Sequence, residues 1–436
     1  MRGDGLPLHG KRGGVLQRRA DRFRKGRLQG ARRPHAGDQA GSYPTPYFPN
    51  VLKHYTWFPV HPPTIEKFGG MKERLSKWTQ EEFVCNGPFV LEEWTQNKII
   101  RVKKSPTYWD AANVKLNGIH YLPIQEANTE ERLFRSGAMH LGYTCPLDKI
   151  PYYKERFPEL IHMDPMYASY FYRVNTTPPS EDMPPDQRAA REALAKREVR
   201  MALALAIDQQ QIVEHLLRGG QIPASGITPR DQSYDTPRVI SYQPDRAREL
   251  LAEAGYPKGR GFPAGVDILI NTSEAHKAVA EVVQEMWRKE LNIEIAVRNE
   301  EWKVYLETQR ELNFNISRAG WNADYHDPFT FLSMFVKDGG NNNTGWSSEE
   351  YEKLLADSTR TADPKERIAI LQKAETVLLE DAPILPIYWY TRTYLLHPAV
   401  KGWHPKLLDN RPFKTISLDP NWRDSFSGTA PAGIGG

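Results

Sequence analysis

Between residues 266 and 319 the chain alternates short apolar runs with amphipathic ones of helical period, and no other feature restricts its fold as much. Val266-Asp-Ile-Leu-Ile270 reads as a strand, His276 to Leu291 as a helix, and Ile293-Glu-Ile-Ala-Val297 as a strand. Trp302 to Leu312 then reads as a helix and Phe314 to Ala319 as a strand. Alternation of this length predicts an α/β lobe with a mostly parallel sheet. Such sheets bind ligands outside the carboxyl ends of their strands, so two strand ends matter here. One opens into Gly320-Trp321-Asn322-Ala323-Asp324-Tyr325, the other into Asn271-Thr-Ser-Glu-Ala-His276. A tryptophan gives a flat apolar wall with one N–H donor, and Asp324 gives an anion to an ammonium. His276 sits where a helix N-terminus faces the same edge. An acidic strand end beside a basic one suits a zwitterion; taken alone, the same residues suit a core Trp, a turn-forming Asp and a first-turn His.

The rest of the chain supports a multi-element globular protein. Asn86–Trp94 and Lys98–Lys103 read as paired strands, Asn117–Ile124 as another, and Glu130–Ser136 as a helix closed by Gly137. Residues 200–207, 210–218 and 244–254 read as helices, with Asp208 placed as an N-cap and Pro244 in a first turn. Two long helices, 348–361 and 364–379, precede a strand region at 384–396.

At 436 residues there is room for two or three domains. No apolar run approaches the ~20 residues of a membrane helix, and the first forty residues hold no apolar stretch of a secretion signal. Charge is uneven. Residues 1–33 carry eleven Lys/Arg against two Asp/Glu, leaving the remainder with 47 basic and 52 acidic residues. The stretch 1–40 reads as a disordered basic tail, and nothing beyond it resembles a nucleic-acid module.

Signs of catalysis are missing. The sequence holds no HExxH, Walker A, GxGxxG or GxSxG pattern. Cys85 and Cys145 form neither a CxxC nor a zinc spacing, and Cys85 lacks a helix N-terminus to activate it. His326 and Asp327 are adjacent loop residues and make no metal site, so neither metal nor cofactor is expected. The enzymatic alternative is a hydrolase using carboxylates such as Asp324 and Asp327.

Several separate motifs, in one order, resemble the family 5 solute-binding proteins of ABC importers for oligopeptides and dipeptides. Asn86-Gly-Pro-Phe-Val-Leu-Glu-Glu-Trp94 with Lys104-Ser-Pro-Thr-Tyr-Trp109, then Arg135-Ser-Gly-Ala-Met139, match the family's early elements. Val199 to Asp208, Trp321-Asn-Ala-Asp324-Tyr325, and Glu350 to Leu355 with Glu375 to Tyr388 match its later ones. The Trp321–Tyr325 segment is similar to that of the enterobacterial oligopeptide-binding type. The resemblance implies a two-lobed periplasmic-binding-protein fold (class II type, cluster C), with lobe one partial at 41–168, lobe two at 169–391 and a return to lobe one at 392–436.

It also implies an extracytoplasmic, periplasmic, monomeric protein that holds extended oligopeptides between its lobes and delivers them to ABC permease membrane subunits. In that alignment Asp324 matches the anchor for the peptide α-amino group, with Trp321, Asn322 and Tyr325 beside it. Arg318 and His276 match basic positions for the carboxylate of different peptide lengths. A third basic position falls on Arg218 or His215, and one family arginine is replaced by Gln309. Family members carry a leader and further residues of lobe one and a small extra domain before the matching region. The expectation is therefore of a truncated reading frame with an unrelated basic start, and a non-binding remnant is the third reading.

Overall fold

A computed structural model of the chain describes residues 47–73 and 76–425. The basic tail at 1–40 and the glycine-rich end after 430 lie outside the described residues. In chain order the strands are β1 (Phe89–Thr95), β2 (Ile99–Lys104), β3 (Gly118–Tyr121), β4 (Leu141–Gly142) and β5 (Ile161–Val174). They continue as β6 (Ile222–Pro223), β7 (Asp267–Asn271), β8 (Ala296–Glu300), β9 (Ile316–Asn322) and β10 (Ile384–Leu396). β1, β2 and β3 form a small antiparallel sheet, while the main sheet runs β4-β10-β5-β9-β7-β8 with β6 also on β10.

The main sheet is mixed, which corrects the expectation of a mostly parallel one. β7 pairs β8 and β9 in parallel through crossover helices. β5 enters from far away in sequence and pairs antiparallel with both β9 and β10. The alternation at 266–319 records only the parallel half. β9 also runs further than Ala319, so that Trp321 and Asn322 belong to the strand and pair with Ser169 and Ala168.

Local chemistry explains the helices. The Glu274–Leu291 helix begins at Ser273, whose Oγ accepts from the His276 N–H, and ends at Asn292 in the left-handed region. Its Val279, Ala280, Val283, Met286, Trp287 and Leu291 are buried on one face at helical spacing. The Pro364–Asp381 helix is capped by Asp363, which accepts from the Glu366 N–H at 2.8 Å. Buried within it, Glu375 accepts from Ile227 N, Thr228 N and the Tyr234 hydroxyl at 2.7, 3.0 and 2.6 Å. A Cβ on Gly226 would stand 2.5 Å from Glu375 Oε1, so glycine is required for the loop to wrap that carboxylate.

β5 and β10 are long, aromatic and continuous, and they thread two separate hydrophobic cores. Where the start of β5 meets the end of β10, the paired Ile161 and Leu395 join Phe134, Ile150, Tyr153 and Leu160 in the smaller core. Tyr167 to Val174 and Ile384 to Tyr388 belong to the larger one with the helices described above. Between the two cores the pairing slips, from Ser169 opposite Trp389 to Pro165 opposite Thr391. Just below the slip, Asp164 and Arg392 face each other across the ladder, and Arg411 and Asp409 close an ion-pair network around them.

Candidate functional site

The candidate site is built on β9. Facing residues of β5 and β10 add a cluster of tyrosines to it. Tyr170 lies opposite Gly320 on one side and Tyr388 on the other, and Tyr172 lies opposite Arg318. The Tyr170 and Tyr388 rings stack at 4.5 Å, and Tyr390 closes on both. Arg318 lies over the Tyr170 ring at 4.9 Å, donates to the Tyr390 hydroxyl at 2.7 Å and reaches Asn271 Oδ1 at 3.4 Å. Its Nε is buried without a hydrogen-bond partner. Among the described residues no carboxylate pairs with it. A guanidinium is always charged in a protein, so this is a sheltered cation whose counter-ion the described side chains do not supply. Gly320 keeps the cluster open: a Cβ there would stand 3.2 Å from the Tyr390 hydroxyl and 3.3 Å from Arg318 Nη2.

The His276 ring also packs against Tyr170, tilted, at 5.6 Å, with Nδ1 buried and without a hydrogen-bond partner. Burial, together with the neighbouring Arg318 charge, lowers its pKa to about 2. The imidazole is therefore neutral at physiological pH. The basic end of the site is carried by Arg318, where the sequence offered His276 as well.

Asp324 lies beyond the end of β9, its side chain 43% exposed, with Nε2 of His54 3.4 Å from its Oδ1. Burial raises its pKa, while His54 pulls the other way. The Thr330 hydroxyl accepts from both the Asp324 N–H (3.2 Å) and the Trp321 indole N–H (3.3 Å). Thr330 thus ties the two residues into one unit. Trp321 packs partly against the larger core, Asn322 is exposed, and Tyr325 stacks on Tyr47 at 5.6 Å.

The remaining expected residues separate. Arg218 ends a helical segment in the left-handed conformation (φ 56°) and donates from Nε to the His215 carbonyl at 2.8 Å. It lines a cavity of about 720 Å³ with Lys154, Glu155, Glu214 and Gln221, whereas His215 is exposed outside that lining. Gln309 is a framework residue: buried, it donates to Tyr305, Ser317 and the Arg318 carbonyl. Arg310 beside it turns outward to Glu307. Asp327 is held by both terminal nitrogens of the buried Arg367, at 2.7 and 2.8 Å.

Sequence reasoning missed Tyr170, Tyr388, Tyr390, Thr330 and His54. The tyrosines alternate within β5 and β10, a period-2 pattern visible in the sequence. That β5 lies between β9 and β10, and so brings both sets of tyrosines towards Arg318, is set by long-range pairing, which no local pattern states.

Residues 41–343 match the family model of bacterial extracellular solute-binding proteins, family 5. The chain is 33% identical over 397 residues to the periplasmic oligopeptide-binding protein OppA of Salmonella typhimurium, covering 88% of this chain and 69% of that protein. It is 32% identical over 373 residues to the oligopeptide-binding protein OppA of Bacillus subtilis, covering 82% of this chain and 65% of that one. The chain therefore spans about two thirds of these relatives. Among solved structures, a periplasmic oligopeptide-binding protein of Borrelia burgdorferi superposes with TM-score 0.76 at 30% identity, covering 86% of this chain and 72% of that one. The chain belongs to the family 5 bacterial extracellular solute-binding proteins.

Proposed function

We propose that this chain is the peptide-capturing component of an ABC importer. Short extended peptides would lie along β9, the α-amino group on Asp324 and the carboxylate on Arg318. The observation that carries this reading is Arg318, a partly buried guanidinium among tyrosines with no carboxylate partner among the described residues, on the strand that leads to Asp324. Six residue steps lead from Arg318 to Asp324, a contour of at most roughly 20 Å. The reach of both side chains shortens that gap to the scale of a peptide of a few residues.

The relatives' names accord with this reading, and a Haemophilus influenzae OppA, 27% identical with TM-score 0.75 over 87% of this chain and 72% of that one, was solved with the peptide RPPGFSPFR. β9 is paired with β5 along its length but with β7 only at Ile316 and Ser317, so its β7-side edge beyond Ser317 carries no ladder and leaves room for an extended ligand beside Arg318 to Asn322. Affinity would then come from features that every peptide shares, with Arg218, at its own cavity, meeting longer ligands. Delivery to permease subunits and an extracytoplasmic location follow from the same reading. So do two lobes that close about the slip in β5 and β10. Hydrolysis is disfavoured by a specific observation: Asp327, the second carboxylate such chemistry would need, is fully engaged by Arg367.

The test is retention. Purified protein is incubated with a mixture of short peptides, washed, and the released material weighed by mass spectrometry. Intact peptides of two to five residues enriched over the input support capture. Shortened products point to a hydrolase, and an eluate identical to a no-protein control contradicts the proposal.

A further inference from the structure

His54 stands outside every motif of the chain, yet among the described residues it is the side chain that pairs with the Asp324 carboxylate. Its position is set by its own turn. His54 caps the short helix Tyr55–Trp57, and its Nδ1 faces the Thr56 hydroxyl at 2.9 Å and accepts the Thr56 N–H at 3.4 Å. With Nδ1 acting as the acceptor, the neutral ring carries its proton on Nε2. That nitrogen is the one 3.4 Å from Asp324 Oδ1.

The Tyr55 ring lies 4.0 Å from the imidazole, and the His54 side chain is only 18% exposed. The segment is fastened a second time at Tyr47. That ring stacks on Phe329 at 5.0 Å and on Tyr325, and the Arg367 guanidinium lies 4.8 Å from its centre. Residues 47–57 therefore form a strap across the loop that carries Asp324, attached at both ends by side chains.

We propose that His54 is a positioning residue for amino-group recognition: its Nε2–H occupies Oδ1 of Asp324 and leaves Oδ2 to the ammonium of the ligand. This rests on the reading of Asp324 as the amine anchor. A carboxylate has room for both donors, since its two oxygens offer about four acceptor sites. An N–H on one oxygen fixes the plane of the carboxylate and leaves the other oxygen to the ligand. Donation to the carboxylate also favours the ionised form that an ammonium needs, opposing the burial that disfavours it. The strap thus makes the site read the amino end of a ligand.

The test compares His54→Ala, His54→Gln and Asp324→Ala by calorimetry, using one tripeptide with a free amino group and the same tripeptide N-acetylated. Thermal melts confirm that each variant folds. The expected result is about a tenfold loss for His54→Ala on the free peptide, with His54→Gln, which keeps an N–H donor, within about threefold of the parent. The weak binding of the acetylated peptide should be the same in parent and His54→Ala. Unchanged or tighter binding of the free peptide by His54→Ala overturns the proposal; tighter binding would mean the imidazole competes with the ammonium. Equal losses for free and acetylated peptides overturn it too, since they would show a merely structural strap. If Asp324→Ala itself leaves the free peptide unaffected, the anchor reading fails, and that outcome is distinct from loss in Asp324→Ala without loss in His54→Ala.

Discussion

At the scale of single residues, Arg318 and His276 share one tyrosine-lined pocket, and only the arginine is charged at neutral pH. The consequence for stability has a definite sign. The folded imidazole, with a pKa near 2, cannot take a proton that the unfolded chain accepts near pH ~6.5. Stability is therefore unaffected by His276 above that pH. Below it, stability falls by about 1.4 kcal/mol per pH unit from this group. His276→Gln should flatten the acid limb, so urea midpoints of the variant between pH 6.5 and 4.5 should fall less steeply than those of the parent. Parallel slopes would mean that the ring is protonated where it lies. Asp324 has the opposite bearing. Its raised pKa means the free protein holds that proton longer as pH rises, while an ammonium requires the ionised form. Peptide affinity should weaken as pH falls through the mildly acid range, and binding there should release a proton. Titrations in two buffers of different ionisation enthalpy would show this as a difference in apparent heat, and equal heats would contradict it.

At the scale of elements, caps and periodicity were readable because they are local. Ser273, Asp363 and Ser348 each cap the helix that follows through a side-chain oxygen. Strand direction was not readable. β5 lies beside β9 because of pairing across most of the domain's sequence, and the tyrosines it brings are invisible as a site until that pairing is known. Arg318 and Asp324 were legible from the family motif, whereas His54 carried no local pattern at all. Glu375 shows how a motif residue can be structural. It sits on a helix face yet gathers two backbone N–H groups and a tyrosine hydroxyl from another part of the chain. Glu375→Ala would strand those donors in the core, at a cost of about 3 kcal/mol or more. A denaturant midpoint shifted by less than a third of that amount would show that the loop relaxes around the loss.

At the scale of the molecule, two cores share one pair of strands, and the proposed capture of a peptide predicts closure about a hinge between them. The slip in pairing and the Asp164–Arg411–Asp409–Arg392 network lie between those cores. Adding a bound peptide should reduce the radius of gyration in solution scattering, and an unchanged radius under saturating ligand would place the protein closed beforehand. All of this depends on one claim, that both ends of a peptide are held, the amino end by Asp324 and the carboxyl end by Arg318. The most direct measurement is calorimetry with one tripeptide in three forms: free, N-acetylated and C-amidated. Removing one partner of a partly buried charge pair costs about 2–3 kcal/mol, on the order of thirty- to a hundredfold in affinity. Each blocked form should lose that much. Asp324→Ala should abolish the penalty for acetylation alone, and Arg318→Ala the penalty for amidation alone. Equal affinity for all three forms in the parent protein would contradict the account.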